Sequence, residues 1–155
     1  LGERDGWFGK KNFWDRSLRT AMILKTPQQL RAGEAVDQPV GLIDLYPTLV
    51  DLTGLPQPSV PLDGYSLAGL VRGTEDERPD YVISHNYLEG WDGLHGSVRT
   101  PRWRYMEHGD GTRELYDALE DPYHWNNLVE DSQYSDLIKQ LSGKIRESFS
   151  VQADP

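Results

Sequence analysis

Trp103-Arg-Tyr-Met-Glu107, His108-Gly-Asp-Gly-Thr112 and Arg113-Glu-Leu-Tyr-Asp117 follow one another without a break. Short aromatic-rich runs on either side of a Gly-Asp-Gly turn are what an antiparallel hairpin requires, so strands are predicted over 103–107 and 114–117. Working outward, Tyr81–Ser84 and Gly96–Thr100 have the same strand character and extend the hairpin to a small four-stranded antiparallel sheet. Downstream, apolar residues recur at Tyr134, Leu137, Ile138, Leu141, Ile145 and Phe149. That helical spacing predicts an amphipathic helix over 132–149 covering one face of the sheet. Gly143 falls inside it and weakens it by ~1 kcal/mol relative to alanine, which packing can outweigh.

Upstream the character changes. Gly73-Thr-Glu-Asp-Glu-Arg-Pro-Asp80 is charged and bounded by Gly and Pro, as a surface connector is. The expected organisation is therefore a first part over 1–73, a connector over 74–80 and a small second part over 81–155. In the first part, Leu18 to Leu24 reads as a strand that becomes fully buried and ends before Pro27. A helix is predicted over 45–53, with Asp44 as N-cap and Pro47 in the first turn, where its missing N–H costs little. Leu45, Leu49, Val50 and Leu52 give that helix an apolar face, and Gly54 its stop. Ser66 is suited to cap one further turn over 67–71.

The 155 residues fit a single domain's length and can bury a core without covalent staples. With no cysteine there is no disulfide framework, thiol nucleophile or Cys-ligated zinc site. A formal charge of −9 argues against nucleic acid as the main partner, since phosphate binding needs a basic footprint. No apolar run approaches the ~20 residues of a membrane-spanning helix. The opening lacks a basic-then-apolar leader.

Few residues announce chemistry. Lys10 and Lys11 follow Gly9 in a glycine-punctuated aromatic loop, where an ammonium could meet an anion or simply be solvated. His85, His95, His108 and His124 have no metal-ligand spacing. The loop Asn86-Tyr-Leu-Glu-Gly-Trp-Asp-Gly-Leu94 lies between His85 and His95 and is rich enough in aromatics to line a pocket, or to pack as core. Asp121-Pro-Tyr-His-Trp-Asn-Asn-Leu128 is better suited to capped turns than to catalysis. No nucleophile elbow or phosphate loop is present. Composition and spacing alone stop at an acidic α/β fragment.

Three ordered blocks go further. Leu1-Gly-Glu-Arg-Asp-Gly-Trp-Phe-Gly-Lys10-Lys-Asn-Phe-Trp-Asp-Arg16 resembles the stretch of type I sulfatases that follows their second metal-binding motif. Val40-Gly-Leu-Ile-Asp44-Leu-Tyr-Pro47-Thr-Leu-Val-Asp51-Leu-Thr-Gly54 is similar to the same family's helix "DLxPTLxDLxG", followed by Leu62-Asp-Gly-Tyr-Ser-Leu67. Val98-Arg-Thr-Pro-Arg-Trp-Arg-Tyr105, Glu114-Leu-Tyr-Asp117, Asp121-Pro122 and Asn127-Leu128 resemble its C-terminal signature, "VRTxxxRY…ELYDLxxDPxExxNL". The residues around Trp14, Trp103 and Tyr123-His-Trp125 lean towards the iduronate-2-sulfatase-like bacterial branch.

This resemblance implies an α/β, alkaline-phosphatase-like fold, of which the chain carries the C-terminal segment and the small subdomain. It implies hydrolysis of sulfate esters by a formylglycine made from Cys or Ser within Cys/Ser-x-Pro-x-Arg, assisted by calcium. Ser59-Val-Pro61-Leu-Asp63 lacks the arginine and stands in the wrong order, so nucleophile and Ca2+ ligands are expected outside this chain. The piece alone is expected to bind no metal and to be inactive. The family's sulfate-contacting lysine falls on Lys10, a compact cation suited to offset charge on the bridging oxygen as the S–O bond breaks. Arg4 stands where many members have His, and Arg19-Thr20-Ala21 replaces Arg-Val-Pro. The small subdomain of related enzymes leans over the cleft, which makes Tyr87, Trp91 and His95 candidates for binding a carbohydrate substrate. The expected partners are the sulfate ester and an N-terminal catalytic part, with neither nucleic acid nor membrane. Export to the periplasm or medium is implied by the family alone. The alternatives are a phosphonate or phosphate monoester hydrolase of the same superfamily, or a non-enzymatic carbohydrate-binding or interaction domain.

Overall fold

The structure, a computed structural model, describes residues 12–74, 78–86, 93 and 95–151, with side chains through Phe149. Two compact units are present, one of residues 22–82, the other joining residues 12–21 to the chain from Ile83 onward. The packing thus places 12–21 with the small sheet, whereas composition grouped them with the first part.

In the sheet unit, β1 (Val82–His85), β2 (Gly96–Arg99), β3 (Trp103–Glu107) and β4 (Arg113–Asp117) form a sheet in the order β1-β2-β3-β4. These are the four expected strands, with ends moved by a residue. In the antiparallel register Val98 faces Tyr105, Tyr105 faces Leu115, and Arg104 faces Tyr116. A 3₁₀ turn at Ser132–Tyr134, capped by Asp131, leads into helix α4, Ser135–Val151. α4 packs on β2 and β3 and brings buried Ile138, Leu141 and Ile145 to the sheet. Gly96 permits this closeness, since a Cβ there would lie 2.6 Å from Ile145 Cγ2.

Four consecutive residues of β3, Arg104–Glu107, are buried, which a sheet covered on one face does not explain. The second cover is the segment 12–18. Phe13, 2% exposed, clusters with Met106 and Tyr116, and Trp14 packs against them. A single helical turn, α1 (Asp15–Leu18), follows.

The outer edge of β4 is closed by the loop that follows it. Asn127 Oδ1 accepts the Leu115 N–H at 2.9 Å, and the Leu128 N–H donates to the Leu115 carbonyl at 2.8 Å. The open edge is thereby covered.

The buried strand expected over Leu18–Leu24 is not formed. α1 ends at Leu18, the backbone beyond it has no ladder, and Ile23 is 90% exposed. A strand requires a neighbour to take its N–H and C=O groups, and no described strand lies beside it.

Residues 22–82 contain α2 (Leu45–Thr53) and α3 (Ala68–Arg72), with Gly54 and Gly73 left-handed at their ends. Asp44 occupies the N-cap position of α2, but its carboxylate caps no helical N–H. It accepts instead from the N–H of Gly41 at 2.8 Å and of Tyr65 at 2.9 Å. The inward face of α2 also differs from the apolar pattern: Thr48 and Val50 are buried, while Leu49 is 52% exposed. The Thr48 hydroxyl donates to the Asp44 carbonyl and accepts the Leu67 N–H, tying α2 to the start of α3.

Candidate functional site

The sheet face covered by residues 12–18 carries a group of buried and half-buried charged side chains. Asp15 opens α1, and its carboxylate meets two arginines from neighbouring strands. Arg104 Nε and Nη2 both donate to Oδ1, the former at 3.0 Å, and Arg99 Nε donates to Oδ2 at 3.2 Å. Arg104, whose side chain is 4% exposed, also donates to Ser97 Oγ at 3.2 Å. Burial raises the pKa of Asp15, but the charges and hydrogen bonds of Arg104, with Arg99 and His124, bring it below the ordinary carboxylate value.

His124 completes this group. It is buried at a positive φ of 59°, stacks on Tyr116 at 4.9 Å and places Nε2 3.9 Å from Asp15 Oδ2. Burial, more than the attraction of Asp15, sets its pKa below the ordinary value.

A second carboxylate, Glu114, accepts three side-chain donors: Trp14 Nε1 at 3.1 Å, the Tyr116 hydroxyl and His108 Nε2 at 3.2 Å. Burial works against its ionisation, yet the bonds from His108, Tyr116 and Trp14 win and pull its pKa down to about 2. A carboxylate so held is a fixed acceptor, not a proton donor at neutral pH.

Of the expected site residues, Lys10, Tyr87 and Trp91 lie outside the described residues. His95 immediately precedes β2 and is 3% exposed. Its Nδ1 accepts the Gly109 N–H at 3.2 Å, its carbonyl accepts the Asn86 N–H at 3.1 Å, and its ring meets His108 edge-on at 6.2 Å. His95 therefore joins the ends of the 86–95 loop and the β3–β4 hairpin to the side of the sheet that holds Glu114. Asp121 forms the expected capped turn, accepting the Asn126 N–H at 2.7 Å.

Sequence reasoning did not single out Asp15, Arg99, Arg104, Glu114 or His124 as a group. One signal was available, because His124 stands where the quoted signature "DPxExxNL" has Glu. Among the described residues no three His, Cys, Asp or Glu side chains stand together to hold a metal. These described residues do not fit a calcium site.

The chain shares its fold with solved sulfatases of the alkaline-phosphatase-like superfamily. The family described as "N-sulphoglucosamine sulphohydrolase, C-terminal" matches residues 2–150, and the chain belongs to it. A sulfatase of Formosa agariphila is 29% identical over 91% of this chain and 26% of its own length. A Delta 4,5-hexuronate-2-O-sulfatase of Bacteroides thetaiotaomicron is 33% identical over 93% of this chain and 33% of its own. Among solved structures, the 2-O GAG sulfatase BT1596 has a TM-score of 0.64 at 32% identity, covering 78% of this chain and 27% of that one. The phosphonate monoester hydrolase of Agrobacterium radiobacter has 0.54 at 26% identity, covering 71% and 24%. The chain thus spans between a quarter and a third of the length of these curated relatives.

Proposed function

We propose that the chain is the C-terminal portion of a sulfuric ester hydrolase that removes sulfate from a carbohydrate. The observation that carries this is the family match running through residues 2–150, together with relatives whose names specify sulfatases. In this reading Lys10 contacts the sulfate, and Tyr87, Trp91 and His95 select the leaving group. The nucleophile and the calcium ligands are supplied by a preceding catalytic part. Calcium would polarise the sulfate oxygens. Among the described residues no group of three His, Cys, Asp or Glu side chains is placed to hold it.

Residues 22–82 are then the end of the large α/β domain. Their exposed Ile23, Leu42, Ile43, Tyr46 and Leu49 support this, as surface the rest of that domain would cover. Export to the periplasm or medium is part of this reading and is implied by the family alone. Coding sequence in frame before Leu1 should specify Cys/Ser-x-Pro-x-Arg and an Asp-rich metal motif; a stop codon immediately before it would contradict the reading. In the complete enzyme, His95→Ala should raise KM for the sugar sulfate and spare a small aryl sulfate. Equal effects on both would remove His95 from substrate selection.

Likeness to a phosphonate monoester hydrolase favours a second reading, hydrolysis of phosphorus esters on the same scaffold. The relative rates of sulfate and phosphonate release from matched aryl esters decide between them.

A further inference from the structure

His124 is buried although both its neighbours in sequence, Tyr123 and Trp125, are exposed. Its φ of 59° lies in the left-handed region, which residues other than glycine seldom adopt. The ring stacks on Tyr116, yet its buried Nε2 makes no hydrogen bond. Asp15 Oδ2 lies 3.9 Å from that atom, beyond hydrogen-bond reach, and already accepts from Arg99 Nε at 3.2 Å. Buried polar atoms are nearly always partnered, so an imidazole nitrogen left bare beside a carboxylate needs an explanation.

Among the described residues, charged groups face this ring from every element around it. They are Asp15 from α1, Arg99 from β2, Arg104 from β3 and Asp121 from its own loop, while Tyr116 of β4 donates its hydroxyl to Glu114. Two carboxylates balance two guanidiniums as long as the imidazole is neutral. A proton on it adds a third cation to a buried cluster, where surplus charge is strongly disfavoured. Burial holds its proton affinity below that of an exposed histidine in spite of Asp15 and Asp121.

The two sides that meet at His124 are not equally fixed. Its own loop is bonded to the backbone of β4 through Asn127 Oδ1 and the Leu128 N–H. The backbone hydrogen bonds described for residues 12–18 stay within that segment, and α1 is a single turn with no buried residue. Side chains seat the segment on the sheet: Phe13 against Met106 and Tyr116, Trp14 on Glu114, and Asp15 on the arginines. We propose that His124 is the pin of an acid-operated latch, in which a proton on its ring releases residues 12–18 from the sheet. Release lets water reach the imidazolium and uncovers Met106 and Tyr116, without unfolding the four strands or α4. The response falls in the pH range that histidine serves, and it does not depend on which ester is cleaved.

Hydrogen exchange on the complete protein reads the latch through the N–H groups of Ser17, Leu18 and Arg19, which are bonded to Trp14 and Asp15. After correction for the intrinsic pH dependence of exchange, their opening constant should rise about 3- to 10-fold from pH 7.5 to 5.5, since one proton taken up per opening gives at most about tenfold per pH unit. That opening exposes little surface and should hardly respond to about 1 M urea, whereas the N–H groups of Leu141 and Ile145 in α4 should open only in the urea-dependent global step. His124→Asn, which tolerates left-handed backbone, and His124→Phe, which keeps a ring on Tyr116, should each abolish the rise, so either suffices if the other does not fold. His85→Gln removes the other histidine of lowered proton affinity and should leave the rise intact. No rise in the wild type, a rise that survives in a folded His124 variant, its loss in His85→Gln, or exchange of Ser17, Leu18 and Arg19 in step with α4 would each overturn the latch.

Discussion

Thr48 shows how much one hydroxyl can hold. It is fully buried in α2, donates to the Asp44 carbonyl and accepts the Leu67 N–H at 2.8 Å. Thr48→Val keeps the shape and leaves that N–H without a partner, at a cost of about 1–3 kcal/mol. Urea denaturation measures it, and an unchanged midpoint would contradict the account. Thr48 lies in the motif "DLxPTLxDLxG", so its importance was visible in the sequence, but its partner was not. Position 124 behaves alike: the histidine in place of a glutamate is plain, whereas the Asp15 carboxylate facing it comes from far along the chain. Side-chain pairs of long sequence separation leave no periodic trace.

At the scale of elements, helix α4 and the four strands were legible because each depends on local pattern: spacing of three and four, or short aromatic runs around Gly-Asp-Gly. The Leu18–Leu24 stretch misled because an apolar run states that a segment is to be covered, not what covers it. The second face of the sheet was missed for a related reason, as segment 12–18 is too short to show a period. Two glycines separate fit from propensity. Gly96→Ala would drive a Cβ to 2.6 Å from Ile145 Cγ2 and should destabilise by ~1–3 kcal/mol. Gly143→Ala meets nothing within 4 Å and should stabilise α4 by up to ~1 kcal/mol. Thermal unfolding of the two variants should move in opposite directions; a shift of the same sign in both would refute the packing described for α4.

For the whole molecule, acid should act in two stages. Burial lowers the pKa values of His85 and His124 below 6.5 in the folded state. As pH falls past 6.5 the unfolded chain takes up protons that the folded chain refuses, and stability drops. Glu114, with its pKa near 2, and Asp15, Asp117 and Asp121, also lowered, contribute stability above their unfolded values that is lost as pH falls further. Urea midpoints should therefore decline from pH 7.5 to 5.5 and again to 3.5; a midpoint level between 7.5 and 5.5 would contradict the histidine stage. The exposed apolar residues of the 22–82 unit bear on the larger reading, because the isolated 155-residue chain should bind a hydrophobic dye and self-associate. A monomeric, cooperatively folding chain that binds no dye would favour a free-standing interaction domain instead. The most direct test is release of inorganic sulfate from 4-nitrophenyl sulfate, followed by ion chromatography for the complete protein, its Lys10→Ala variant and the isolated chain. The account predicts release by the complete protein, severe loss in the variant and none from the isolated chain. Sulfate released by the isolated chain, or undiminished by Lys10→Ala, would contradict it.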